Sequence, residues 1–194
     1  ENGRIELRKD YPMPEPRADE ALVRVVLAGI CSTDLEVVRG YVPDFSGVLG
    51  HEFVGVVEAA ADESWLGQRV VSNINIGCQT CATCQNHGPE HCPNRRVLGI
   101  HDRDGVFADY VAVPLRSLYR VPDSVQDEQA IFTEPLAAAL RIREQVRVRP
   151  TAKTAVIGPG GLGLLVAQVL SRTNVDITVL GRSKRWRELP AAWG

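Results

Sequence analysis

The chain has 194 residues, 22 basic and 24 acidic side chains, a net charge of −2, 44% hydrophobic residues and 6% aromatic ones. That is ordinary globular composition and excludes a disordered or collagen-like chain. No apolar run approaches the length that spans a bilayer, and the charge is too balanced for nucleic acid or an acidic membrane to be the main partner. The first residues, Glu1-Asn2-Gly3-Arg4, carry no signal-peptide pattern. The length allows one large domain or two small ones.

Residues 1–125 read as β-rich. Ala21–Leu27 predicts a strand stopped at Gly29, and the valine-rich Phe53–Ala59 predicts another. Arg69–Ile76 and Phe107–Val113 predict two more. Proline- and glycine-bearing turns separate them, at Pro12 to Pro16, Pro43 to Gly50 and Asp102 to Gly105. Short, regularly punctuated strands of this kind build a small barrel or sandwich. From Asp127 to about Val146 the spacing turns helical. Lys153–Ile157 is then a short apolar strand, Leu162–Leu170 an apolar helix and Val175–Leu180 a second strand, with a further helix over Ser183–Trp193. The order is that of a β-rich part followed by the start of a β-α-β unit.

Four of the five cysteines fall within fifteen residues, as Cys78-x2-Cys81-x2-Cys84-x7-Cys92. Two-residue gaps suit a tetrahedral metal better than a disulfide framework, and imply a reducing compartment such as the cytosol. Thiolates bind zinc tetrahedrally, and a closed four-thiolate site contributes folding energy outright. The rival occupant is an iron–sulfur cluster; zinc is preferred. His87 and His91 lie in the same stretch and read as exposed loop residues, since four cysteines already complete the site.

The strand ending at Ile157 runs into Gly158-Pro159-Gly160-Gly161-Leu162-Gly163, a G-x-G-x-x-G between a strand and a helix. Gly158 permits the tight turn, Gly160 admits a pyrophosphate to the backbone, and Gly163 lets helix and strand pack closely. The helix N-terminus then offers free N–H groups to phosphate. This predicts dinucleotide binding through Gly158, Gly160, Gly161, Leu162 and Gly163. Where the second strand normally delivers an acid to a ribose 2′-hydroxyl, this chain has Gly181, followed by Arg182-Ser183-Lys184-Arg185-Trp186-Arg187. A glycine leaves room for a 2′-phosphate, and Arg182, Ser183 and Arg185 could hold it. NADP is therefore expected over NAD.

Three further segments carry metal-type donors. Cys31 lies in Gly29-Ile30-Cys31-Ser32-Thr33-Asp34, His51 and Glu52 follow Gly50, and Glu134 opens Glu134-Pro135-Leu136. Taken singly, each has an ordinary reading: a buried thiol, a core histidine, a surface carboxylate. In this order, together with the four-cysteine spacing and the glycine loop, they resemble the zinc-dependent medium-chain dehydrogenase/reductases, the alcohol dehydrogenase superfamily. Glu134-Pro135 is more similar to the sorbitol and threonine dehydrogenase branch. The resemblance covers essentially the whole chain.

The resemblance implies a β-rich GroES-like barrel catalytic domain over 1–145, with a structural-zinc lobe at 77–95. It implies the first part of a Rossmann NAD(P)-binding domain over 146–194. It further implies two zinc ions, one structural and one catalytic, the latter on Cys31 and His51 with either Glu52 or Glu134. Asp34 would orient His51, and Thr33, or Ser32 beside it, would relay the proton of an alcohol. The expected reaction is hydride transfer between an alcohol or polyol, or its carbonyl, and NAD(P). The complete protein is expected to be a cytoplasmic homo-oligomer with no nucleic-acid or membrane partner.

Two departures accompany the resemblance. A doubly wound dinucleotide domain needs about six strands, and room for only two remains before Gly194. The start looks clipped, so residues 1–194 are expected to be a piece without turnover of its own. The competing readings are a non-catalytic zinc-stabilised scaffold or truncated product, and a zinc-free quinone or enoyl reductase. Neither employs Cys31, Thr33, Asp34, His51 and Glu134.

Overall fold

The computed structural model describes residues 3–43 and 45–182. They divide into two units, parted between Phe132 and Thr133. The first contains β1 (Glu20–Gly29), α1 (Ser32–Val38), β2 (Glu52–Ala60), β3 (Arg69–Ser72), β4 (Asn75–Ile76), α2 (Ala82–His87), β5 (Arg96–Val97), β6 (Tyr110–Pro114), β7 (Leu118–Arg120) and α3 (Asp127–Ala130). The second contains α4 (Thr133–Gln145), β8 (Lys153–Ile157), α5 (Gly161–Ser171) and β9 (Asp176–Leu180).

In the first unit an antiparallel sheet runs in the order β6-β1-β2-β3-β7. β-branched side chains favour the pleated, half-buried surface they find here. Ala21, Val23, Phe53, Val57, Val70, Val111 and Val113 bury one face, joined by Leu98 and Val106 from the intervening loops. The register of β1 against β2 sets Gly29 opposite Glu52 and is shifted between Leu22 and Val23 and again between Val25 and Leu27. Such bulges bend and twist the strand.

Three predicted elements come out differently. Arg69–Ile76 is two strands: β3 stays in the main sheet, while β4 pairs with β5 in a separate two-stranded ribbon. The break is at Asn73, whose N–H donates to Ser117 O and whose side-chain oxygen accepts the Asn75 N–H. β6 begins at Tyr110 rather than Phe107, because the Phe107 N–H donates to Leu49 instead of to a strand partner. The predicted helix from Asp127 to Val146 is interrupted at Ile131 and Phe132, where Ile131 packs on the Val54, Val71 and Val121 cluster.

In the second unit β8 and β9 pair in parallel, from Lys153 opposite Asp176 to Ile157 opposite Leu180. The connecting α5 buries Ala167 and Leu170 on Val156, Ile177 and Val179, which is the beginning of the expected β-α-β layer. α4 belongs to this unit and packs on α5, so the division falls ahead of the expected boundary at 145. The helix expected over Ser183–Trp193 lies outside the described residues. Among the described residues no helix is long and apolar enough to cross a membrane.

Candidate active site and cofactor loop

β1 ends at Gly29 beside Glu52, so the chain just beyond β1 and the chain just before β2 emerge together. Cys31 lies two residues past the end of β1 and His51 one residue ahead of β2. One donor atom from each of Cys31, His51 and Glu52 falls within 4.8 Å of the others. A Cβ at Gly29 would lie 2.5 Å from the Glu52 carboxylate, so the missing side chain makes room for Glu52.

Asp34 connects the donors. It stands at the third position of α1, and its Oδ2 accepts the Cys31 N–H at 2.8 Å, satisfying a helix-end donor. Its Oδ1 lies 3.1 Å from His51 Nδ1, with both side chains only 3% exposed. The two atoms are within hydrogen-bonding distance, though not in ideal alignment, and neither has another hydrogen-bond partner. Burial opposes charge on the imidazole, but the Asp34 carboxylate and the Cys31 thiol more than offset it, and the His51 pKa is pushed up to about 9. Burial pushes the Glu52 carboxyl up. Contact of Asp34 with His51 Nδ1 leaves Nε2 as the ring nitrogen open to a metal. Thr33 Oγ1 is 3.6 Å from Cys31 Sγ and partly buried, whereas Ser32 is exposed.

The second donor group is the four-cysteine lobe. Cys78 to Cys84 is 3.9 Å between sulfurs, Cys81 to Cys92 3.8 Å and Cys92 to Cys78 3.6 Å. A disulfide needs about 2.05 Å. A metal–sulfur tetrahedron of about 2.3 Å radius has edges of about 3.8 Å, so the four sulfurs fit a zinc ion. Their N–H donors are in place too: Cys78 N–H points to Cys92 Sγ and Cys84 N–H to Cys81 Sγ, each at 3.4 Å. The hydroxyl of Thr80 pulls the Cys78 thiol down to about 5 while burial pushes Cys84 up to about 12. The lobe is more ordered than a loop: Cys81 caps α2 and a 3-10 turn spans Pro89–His91. Neither His87 nor His91 joins a donor group among the described residues.

The glycine loop follows β8. Gly158 has φ +95°, which favours glycine, and a Cβ at Gly163 would lie 2.0 Å from Gly158 O. Those two are needed by the fold. Around Gly160 and Gly161 a Cβ would meet nothing within 4 Å, so packing among the described residues does not require glycine at either position. Leu162 is exposed in the first turn of α5. Gly181 follows β9, but a Cβ there would strike the Pro159 ring at 2.4 Å. Packing on Pro159 therefore suffices to explain that glycine. Arg182 is exposed beside it, and Ser183 and Arg185 lie outside the described residues.

Glu134 is in the first turn of α4, in the second unit. The structure thus brings Cys31, His51, Glu52 and Asp34 together within one unit, and places Glu134 in the other. The capping role of Asp34 was missed at the level of sequence, although Cys31-Ser-Thr-Asp34 has the spacing of a capping box with cysteine in the serine position.

Comparison with known proteins agrees with this geometry. The alcohol dehydrogenase GroES-like domain family matches residues 17–123. The starvation-sensing protein RspB of Escherichia coli (strain K12) is 34% identical over 163 residues, 81% of this chain and 48% of RspB. A sorbitol dehydrogenase of Halalkalibacterium halodurans is 32% identical over 180 residues, 90% of this chain and 52% of the relative. The chain therefore spans about half the length of these curated relatives. Among solved structures, the alcohol dehydrogenase TADH from Thermus sp. ATN1 superposes with a TM-score of 0.88 at 32% identity, covering 100% of this chain and 60% of that one.

Proposed function

The chain belongs to the zinc-type medium-chain dehydrogenases of the alcohol dehydrogenase superfamily, and from that premise we propose that it is the catalytic domain and the first part of the dinucleotide-binding domain of an NAD(P)-dependent alcohol or polyol dehydrogenase. The observation that carries the reading is the convergence of Cys31, His51 and Glu52 around the Asp34 carboxylate. A structural protein would need the four-cysteine lobe alone.

In this reading two zinc ions bind, one on Cys78, Cys81, Cys84 and Cys92, the other on Cys31, His51 and a carboxylate. Glu52 is the carboxylate its own unit supplies, and Glu134 is the alternative. When bound, the second zinc supplies Lewis acidity at the substrate oxygen and NAD(P) supplies the hydride acceptor. Asp34 holds the His51 ring through Nδ1 and holds the Cys31 backbone through its N–H. Thr33, half-buried beside Cys31, takes the hydroxyl proton of the alcohol and passes it outward; Ser32 is the exposed alternative. Gly158 turns the chain, and the bare backbone at Gly160 and Gly161 receives the pyrophosphate at the α5 N-terminus. Arg182 favours NADP over NAD, an argument that stands on its charge and no longer on Gly181. The sorbitol dehydrogenase relative supports a polyol-type substrate.

The test is zinc per chain by native mass spectrometry, before and after Cys31→Ser. Two ions falling to one are expected. A single ion indifferent to the substitution would leave a scaffold with one structural metal. Glu52→Gln and Glu134→Gln, compared in the same way, decide the carboxylate.

A further inference from the structure

Two segments of the first unit meet just ahead of His51. Gly47-Val48-Leu49-Gly50 leads into the donor cluster, and Gly99–Phe107 lies across it. The backbones are laced together: Gly105 N–H donates to Val48 O at 2.7 Å, Phe107 N–H to Leu49 O at 2.9 Å and Val106 N–H to Gly50 O at 3.0 Å. No side chain fits between them, since a Cβ at Gly99 or at Gly105 would lie 2.1 Å from Gly50 O.

Within the crossing segment, the adjacent Arg103 and Asp104 engage different parts of the unit. The Arg103 guanidinium pairs with the buried Glu20 at 2.9 Å and also donates to Ala112 O. That fastens the segment to β1 and β6. Asp104 Oδ1 accepts the Val48 N–H at 2.8 Å, and its Oδ2 accepts the Tyr11 hydroxyl at 3.0 Å. Val48 is three residues from His51. The carboxylate therefore ties the approach to His51 to a segment that is itself anchored on the sheet.

We propose that Asp104 is a positioning residue for His51, the free arm of a bracket whose fixed arm is Arg103 on Glu20. It touches no donor atom of the cluster. Its effect passes through the Val48 N–H to the backbone that presents the imidazole, and it sets how well His51 and Cys31 share one ion. The inference rests on the reading of Cys31, His51 and Glu52 as a metal site.

The experiment is cobalt(II) titration of the 194-residue chain, followed by visible absorption. The Cys31 site is isolated as the difference from Cys31→Ser, and the four-thiolate site reports folding in the same sample. Asp104→Ala should weaken cobalt at the Cys31 site about three- to tenfold and shift its d–d bands, the scale of losing hydrogen bonds to a charged group near solvent. Four-thiolate loading should not change. Asp104→Glu should do the same while keeping the charge, because Asp104 Oδ1 sits close against Gly47, where a Cβ would come within 2.5 Å of it, and a side chain one methylene longer displaces the carboxylate from the Val48 N–H. Asp104→Asn keeps an acceptor for Val48 and should restore affinity to within about twofold. A wild-type spectrum and affinity in a folded Asp104→Glu protein overturns the bracket. So does an Asn variant that behaves like Ala, or equal weakening at both cobalt sites. Two cobalt ions insensitive to residue 104 overturn the bracket alone. One cobalt ion insensitive to Cys31→Ser overturns the metal site and the bracket with it.

Discussion

Asp34 Oδ1 lies 3.1 Å from His51 Nδ1, while the other oxygen of the same carboxylate accepts the Cys31 N–H at 2.8 Å. One buried charge thus orients two donors that are twenty residues apart in the chain. Asp34→Asn keeps the shape and removes the charge. It should cost about 1–3 kcal/mol in denaturant unfolding, the range for a hydrogen bond to a charged group. It should also weaken zinc at the Cys31 site about 10- to 100-fold while sparing the four-cysteine site. Equal zinc affinity in the variant would show that His51 is held by something else.

The four-cysteine lobe has little apolar core apart from Cys92, so if it holds zinc as proposed its order should depend on the ion. Treatment with a chelator, or Cys81→Ser, should open residues 77–95 to limited proteolysis well before the sheet unfolds. A lobe that resists protease equally with and without metal would place its stability in α2 and the backbone ladder.

Gly163 and Gly160 separate folding from binding within one loop. Gly163→Ala puts a methyl group 2.0 Å from Gly158 O, whereas a methyl group at Gly160 meets nothing within 4 Å. Thermal unfolding should therefore fall sharply for Gly163→Ala and change little for Gly160→Ala. On the proposed function, Gly160→Ala in the full-length protein should instead lower dinucleotide affinity. An unaltered dinucleotide affinity would remove the loop from the cofactor site.

Glu20 is 4% exposed and pairs with Arg103, itself 12% exposed. Breaking such a pair from one side strands the other charge. Glu20→Gln should destabilise the first unit by about 3 kcal/mol, at the low end for a buried pair because Arg103 keeps its bond to Ala112 O. Chemical denaturation measures it, and a cost below about 1 kcal/mol would mean that water reaches the guanidinium.

The proposed NADP preference rests on Arg182. If the full-length protein is the proposed dehydrogenase, Arg182→Ala should reduce its preference for NADP over NAD, read as the ratio of kcat/KM values. An enzyme that uses both cofactors equally before mutation leaves no 2′-phosphate contact to remove.

Short-range pattern by itself determined much of this protein. The cysteine spacing brings four sulfurs within reach because the intervening gaps are two and seven residues. β8, the glycine loop, α5 and β9 are legible because each is a local apolar period and the turn between them needs glycine at Gly158 and Gly163. Resemblance to a family then supplied candidate roles for Cys31, His51, Asp34 and Glu134. What only tertiary structure decided depends on distant backbone meeting distant backbone. Arg69–Ile76 is one apolar run in sequence, yet it breaks at Asn73 because Ser117 offers the hydrogen bond there. Cys31, His51 and Glu52 share a site because the antiparallel register sets Gly29 against Glu52, a pairing that composition cannot express. Gly50 and Gly105 read as ordinary turn residues and Gly99 carries no signal until the chain folds and the carbonyl of Gly50 leaves no space for a side chain on the other two.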